Sequence, residues 1–223
     1  MKKLTSTLLC LALSSSLYSS EYSVELLSGV VSNMKEDITN HREGEDDIVI
    51  EDAKLVTHAQ SVPYYYGIRF AKWSEDDTAW EIEHLHQKLY IDDPAKETSG
   101  KVTQWEITDG LNFFTLNKAY KTPSNGMVYR VGGGIVIAHP DITIEGETNH
   151  KAGNGAIVWG EGYHLAGFVV QASAQKQWNL NKIWYLSTEL RATYAKAYVP
   201  IASGGVEVQN RALHFNYGVG YRF

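Results

Sequence analysis

The sequence predicts an all-β fold, an eight-stranded antiparallel up-and-down transmembrane β-barrel, on three observations. The last stretch puts Leu213, Phe215, Tyr217, Val219, Tyr221 and Phe223 on one face and His214, Asn216, Gly218, Gly220 and Arg222 on the other. A period of two is the mark of a strand, and an apolar, aromatic-rich face opposite a polar or small one is the pattern of a wall between lipid and lumen. Cut at its turn signals, the chain yields eight such segments, joined by connections that alternate long and short, as in barrels with external loops and tight periplasmic turns. Beyond the N-terminus there is no run of about 18 apolar residues, which excludes membrane-spanning helices.

Taken in order, Met1–Lys3 is basic, Leu4–Leu13 is a short apolar core and Ser14–Ser20 is a run of mostly small residues. This is a secretory signal, expected to span residues 1–20 and to be removed near Ser20, leaving 21–223 as the barrel. Cys10 lies within it behind the bulky Leu9, unlike a lipoprotein signal, so the mature chain has no cysteine, disulfide or thiol nucleophile. Of 20 basic and 26 acidic residues, Lys2 and Lys3 leave with the leader, so the mature charge is −8. That balance argues against nucleic acid as a partner.

The first strand is expected from Tyr22 to about Val31, followed by a long acidic loop, Ser32–Ser61, with eight acidic and three basic residues. Strand two, Pro63–Trp73, turns Tyr64, Tyr66, Ile68 and Phe70 outward, and Ser74–Asp77 is a tight turn. Strand three, Thr78–Tyr90, has Trp80 and Ile82 outward and Glu81 and Glu83 inward, with a more polar second half near the rim. After the connection Ile91–Lys101, strand four, Val102 to about Asn117, loses alternation at Asp109 and Gly110, where a bulge is expected. Strand five turns Tyr129, Val131, Ile135 and Ile137 outward; a loop, His139–Glu161, leads to strand six, Tyr163–Gln175. Strand seven alternates from Trp184 to Tyr194, and a glycine-bearing loop, Ala195–Gln209, precedes the last strand. Both termini then fall in the periplasm. A soluble lipocalin-type barrel is the rival, but its apolar residues should point inward.

Eight strands enclose only enough space for side chains. Arg69, Glu83, Arg130, Glu189, Arg191 and Arg222, placed inward, therefore predict a plug of paired charges and no pore. At the outer rim stand His84, His86, Lys88, His139 and His164, imidazoles able to serve as acid and base or to hold a divalent metal, in no recognised ligand spacing. Asp109 is an ionisable group at membrane depth, a functional candidate unless Lys118 or an arginine pairs with it.

Two stretches carry a resemblance. The alternating end at Phe223 resembles the closing strand of bacterial outer-membrane barrels, which implies the barrel-assembly machinery as a partner. Trp80 to Asp92, Glu106-Ile107-Thr108-Asp109-Gly110-Leu111-Asn112, Thr115-Leu116-Asn117, Gly132-Gly133-Gly134, His139-Pro140-Asp141 and Gly162 to Gly167 together resemble outer-membrane barrels of the lipid A oxidase group. The likeness covers strands three to six, departing at Leu111, often histidine there, and in the order of His139 and Pro140. It implies oxidation of the proximal glucosamine of lipid A, with molecular oxygen and a divalent metal as the groups that such chemistry would bring. On that basis Asp109, His86, His139 and His164 are the catalytic candidates, and Lys88, Asn112 and Tyr163 the substrate-binding ones. Outer-membrane lipid and lipopolysaccharide are the expected partners. A non-enzymatic structural barrel, or a binding or adhesion barrel whose acidic loops bridge through cations, stands beside the enzyme, because fold does not choose among them.

Overall fold

The computed structural model describes residues 21–62, 64–149 and 162–223. The expected signal peptide with Cys10, the start of strand two at Pro63 and the segment 150–161 lie outside them. The chain forms β1 (Glu21–Asn33), β2 (Glu36–Arg42), β3 (Ile48–Ala53), β4 (Leu55–Val56), β5 (Tyr66–Trp73), β6 (Thr78–Ile91), the single helical turn α1 (Pro94–Glu97), β7 (Val102–Lys121), β8 (Met127–Ala138), β9 (Asp141–Ile144), β10 (Glu147–Asn149), β11 (His164–Asn179), β12 (Trp184–Ile201) and β13 (Gly204–Arg222).

Eight of these close a ring in which every neighbour is antiparallel: β1, β5, β6, β7, β8, β11, β12, β13 and back to β1. Closure runs from Ser23 opposite Arg222 to Asn33 opposite Ala212, and the terminal Phe223 exchanges backbone hydrogen bonds with Tyr22. No edge of the ring is left to pair with another chain. At one end the turns are short: 74–77, where the Asp76 carboxylate accepts from the Thr78 amide and hydroxyl, 122–126, and 180–183. Both described ends of the chain lie there.

The outward residues of the lower wall are apolar, as the sequence predicts. Trp80, Ile82, Leu116, Val131, Leu190 and Phe215 are all about half exposed or more, a state that water would penalise and hydrocarbon favours. Ile137 departs from the expected pattern, being 7% exposed, because Asn112 and Leu165 flank it on the two neighbouring strands.

Inside this belt the predicted plug is present with Glu81, already read as inward, and is enlarged by Glu25. Arg222, by contrast, lies outside it near the short turns, paired with Glu21 at 3.1 Å and donating to Gln177 and Asn179. Glu25, Arg69 and Glu83 sit side by side on adjacent strands. The Arg69 guanidinium reaches Glu25 at 2.8 Å, Glu83 at 3.0 Å and Glu189 at 2.7 Å. Arg130 pairs with Glu81 at 2.7 Å and Glu189 at 3.2 Å, and Arg191 with Glu83 and Glu189. Above the ions, the buried Tyr65 hydroxyl donates to Asn216 and lies 3.0 Å from His214 Nδ1, while His214 Nε2 is 2.9 Å from the Thr193 hydroxyl.

Above that layer the polarity inverts, which corrects the reading of the long connections as loops. The expected loop Ala195–Gln209 is a continuous ladder to Ile201 opposite Gly204. Strand parity does not change there. The inward positions become Ala195, Ala197, Val199, Ile201, Val206 and Val208, all buried, and the outward ones become Lys196, Glu207 and Arg211. Most of Ser32–Ser61 folds as the β2–β3 hairpin, with β2 pairing to β13, and as β4 on β6; β9 pairs to β7 with β10 beyond it. Their Ile38, Ile50, Leu55, Ile142 and Ile144 fill the same interior with Trp105, Ile107, Leu89 and Phe113. The molecule is a membrane barrel below and a soluble-type β-barrel core above, because the same wall passes from hydrocarbon into water. The inward-apolar pattern of the lipocalin rival therefore occurs, but only in the upper tier.

Candidate functional site

β6 carries Trp80, Ile82, His84, His86 and Lys88 at alternate positions on its outer face, so the histidines continue the lipid-facing row upward. Register places Tyr66 and Asn112 on either side of His86, and Ile68 and Phe114 on either side of His84. A polar cluster thus stands on the outside of the wall, directly above Ile82 and Leu116. Asn112 is its hub. Its Oδ1 accepts from His84 Nε2 at 3.0 Å and from His86 Nδ1 at 2.9 Å, while its Nδ2 donates to the carbonyls of Asp109 at 3.2 Å and Gly110 at 3.3 Å. The two carbonyls fix which way the amide faces, and the amide fixes the protonated nitrogen of His86. Tyr66 stacks on His86 with ring centres 5.2 Å apart.

The predicted bulge is here. Gln87 pairs with Leu111 but Leu89 with Ile107, so Thr108, Asp109 and Gly110 stand against Lys88 alone. Gly110 has φ +112°, and a Cβ on it would lie 2.5 Å from His86 Nδ1 and from Asn112 Nδ2; only glycine lets the backbone lie against the imidazole. The His139 amide donates to the Gly110 carbonyl at 3.3 Å, and His139 Nδ1 is 3.9 Å from the Asp109 carboxylate. Tyr163 packs on the His139 ring at 4.9 Å, and burial, with the Asp109 charge adding, holds its hydroxyl above the ordinary phenol range.

The structure therefore gathers His86, Asn112, Asp109, His139 and Tyr163 around one bulge, and adds His84, Tyr66 and Gly110. Two candidates are placed elsewhere. Lys88 is buried and its ammonium donates to the Ser61 carbonyl at 2.9 Å, tying down the segment after β4. His164 pairs with Ala138, whose side is the inward one. Asp109 is not buried at membrane depth; its side chain is 54% exposed, and Lys118 binds the Thr78 hydroxyl on the lower wall instead. The sequence signal that was available for the missed groups is parity: His84 and His86 share a face, and Tyr66 belongs to the same outward set.

Two buried nitrogens of the cluster, His86 Nε2 and His139 Nδ1, have no hydrogen-bond partner among the described residues. Such atoms cost about 1 to 3 kcal/mol each when left unpaired. Among the described residues no three His, Cys, Asp or Glu side chains are grouped to hold a metal.

No family model matches this chain, and no curated protein matches it. Solved structures do. The outer membrane protein AlkL in lipid bilayers is similar over 100% of this chain and 97% of its own, with a TM-score of 0.51 and 12% identity. Ail of Yersinia pestis aligns over 92% and 97% at TM-score 0.42 and 8% identity, and OprG from Pseudomonas aeruginosa over 92% and 97% at 0.39 and 10%. At such identities the likeness is one of fold. The closed eight-stranded wall, its apolar outer belt and the AlkL likeness define a small outer-membrane β-barrel.

Proposed function

We propose that this barrel takes lipid A of lipopolysaccharide laterally from the outer leaflet into the cluster around Gly110 and acts on its sugar. The observation that carries the reading is His86: an almost wholly buried imidazole on the lipid-facing side of the wall, oriented by Asn112, with Nε2 unpartnered among the described residues. A lipid-facing wall gains nothing from imidazoles and an amide unless a polar headgroup meets them. Nε2 of His86 is the ring atom placed to hydrogen-bond a sugar hydroxyl. Asp109 and His139 form the second polar arm, Tyr163 backs His139, and Gly110 leaves the backbone open to a ring. The resemblance to lipid A oxidases supplies the reaction, oxidation of the proximal glucosamine with molecular oxygen as co-substrate. In this orientation the short turns and both termini face the periplasm and the upper tier stands outside.

Mass spectrometry of lipid A from cells with and without the protein tests this reading. The oxidised species should appear only with the protein and should vanish in His86→Leu and Asp109→Asn barrels that still show heat-modifiable migration. Unmodified lipid A in cells making the parent protein would overturn the enzymatic reading. The second reading, a binding or adhesion barrel, draws on the exposed Glu43, Glu45, Asp46 and Asp47 at the tip of the β2–β3 hairpin. It would stand if lipopolysaccharide is bound but unchanged.

A further inference from the structure

We infer that His84, His86 and Asn112 form a binding site for one divalent transition-metal ion on the outer wall of the barrel. The residues of a strand two apart share a face, so a His-x-His pair turns two imidazoles toward the same point. Here both converge on a single oxygen: His84 Nε2 and His86 Nδ1 lie 3.0 and 2.9 Å from Asn112 Oδ1. Donors held at about 2.1 Å by one ion are themselves about 3.0 to 3.4 Å apart, so the two nitrogen–oxygen edges of such a shell are already close to the right length.

The oxygen donor is preset. Asn112 Nδ2 is held by the Asp109 and Gly110 carbonyls, an arrangement that requires the positive φ of Gly110, and it leaves Oδ1 no direction but toward the imidazoles. Metal sites are commonly built this way, with outer hydrogen bonds fixing the ligands. Phe114 stacks on His84 with ring centres 4.6 Å apart, and Tyr66 on His86 at 5.2 Å, so neither imidazole is free to turn away.

Two imidazoles and an amide oxygen suit the borderline ions from iron to zinc, with copper tightest by the general order of affinity. Three protein donors leave positions for water or for oxygens of a bound sugar. When the ion takes Nδ1 of His86, its proton moves to Nε2, and the unpartnered atom becomes a donor toward such an oxygen. The inference rests on the trio's geometry and deepens the lateral-site reading without depending on lipid A chemistry.

Copper(II) and cobalt(II) titrated into untagged mature barrel in detergent micelles test it, read by calorimetry and by the copper electron paramagnetic resonance spectrum. One equivalent should bind with hyperfine coupling from two imidazole nitrogens. His84→Leu and His86→Leu, apolar changes on a lipid-facing wall, should each abolish the two-nitrogen signal while the barrel stays heat-modifiable. Asn112→Leu should weaken binding by about ten-fold or more, and His41→Ala, at the far hairpin, should leave it unchanged. Stoichiometric two-nitrogen binding that survives either histidine variant, or no binding beyond that of the double His84→Leu, His86→Leu barrel, overturns the inference. A parent barrel that modifies lipid A but binds no metal overturns this inference alone; metal bound with lipid A untouched overturns only the enzymatic reading.

Discussion

Replacing Arg69 by methionine should be the most damaging single change in the lumen. Its guanidinium is 1% exposed and holds Glu25, Glu83 and Glu189 at 2.7 to 3.0 Å. Methionine keeps much of the volume, so the cost isolates the charge. Glu83 and Glu189 retain Arg191, and Glu189 also retains Arg130, but Glu25 has Arg69 as its only ion-pair partner among the described residues. One fully buried carboxylate is therefore left without a cation, with only Gln175 and Ser187 donating to it. Stripping one partner from a buried pair costs about 3 to 5 kcal/mol. That is roughly two to three and a half powers of ten in the folding equilibrium. Reversible urea unfolding in lipid vesicles, followed by tryptophan fluorescence, measures it. Adding Glu25→Gln removes the stranded charge while keeping the acceptor for Ser187 and Gln175, so the double variant should be more stable than Arg69→Met alone by at least about 1 kcal/mol. If Arg69→Met costs less than about 1 kcal/mol, or if Glu25→Gln makes it worse, the plug is not held together by these ion pairs.

Gly110→Ala should fold but lose both metal binding and lipid A modification, since its Cβ would lie 2.5 Å from His86 Nδ1 in a φ +112° backbone; an unchanged activity would show that the bulge does not shape the site. Leu186→Arg, on the 45%-exposed lipid face, should cost about 2 to 4 kcal/mol near the midplane. Ser187→Arg, beside Glu25 in the packed lumen, should fail through lack of space, so the two should differ in vesicle unfolding; equal tolerance would refute the register. A glutamate-specific protease applied to intact cells should cut first at Glu43 or Glu45, the exposed turn between β2 and β3, leaving the paired strands protected. Cutting there only after the outer membrane is breached would reverse the proposed orientation.

The sequence by itself determined the barrel, because a wall between hydrocarbon and lumen must alternate at period two and leaves that alternation in the lower, lipid-facing part of the strands between Tyr66 and Phe223. It also determined the plug, since inward arginines and glutamates in a closed eight-stranded ring have only one another to pair with, and the bulge, since Asp109-Gly110 breaks the alternation. Tertiary structure alone decided three things. The upper tier read as loops because its apolar residues, Val199, Ile201, Val206 and Val208, obey the same parity with the opposite polarity; only the height at which the wall leaves lipid reveals the change. Glu25 joined the plug because register sets it beside Arg69. And the rim histidines divided by side: His84 and His86 meet Asn112 outside, His164 takes the inward position opposite Ala138, and Lys88 turns to Ser61. Strand parity tells which residues share a face, but pairing across strands depends on register and bulges, which are set by contacts far apart in the chain.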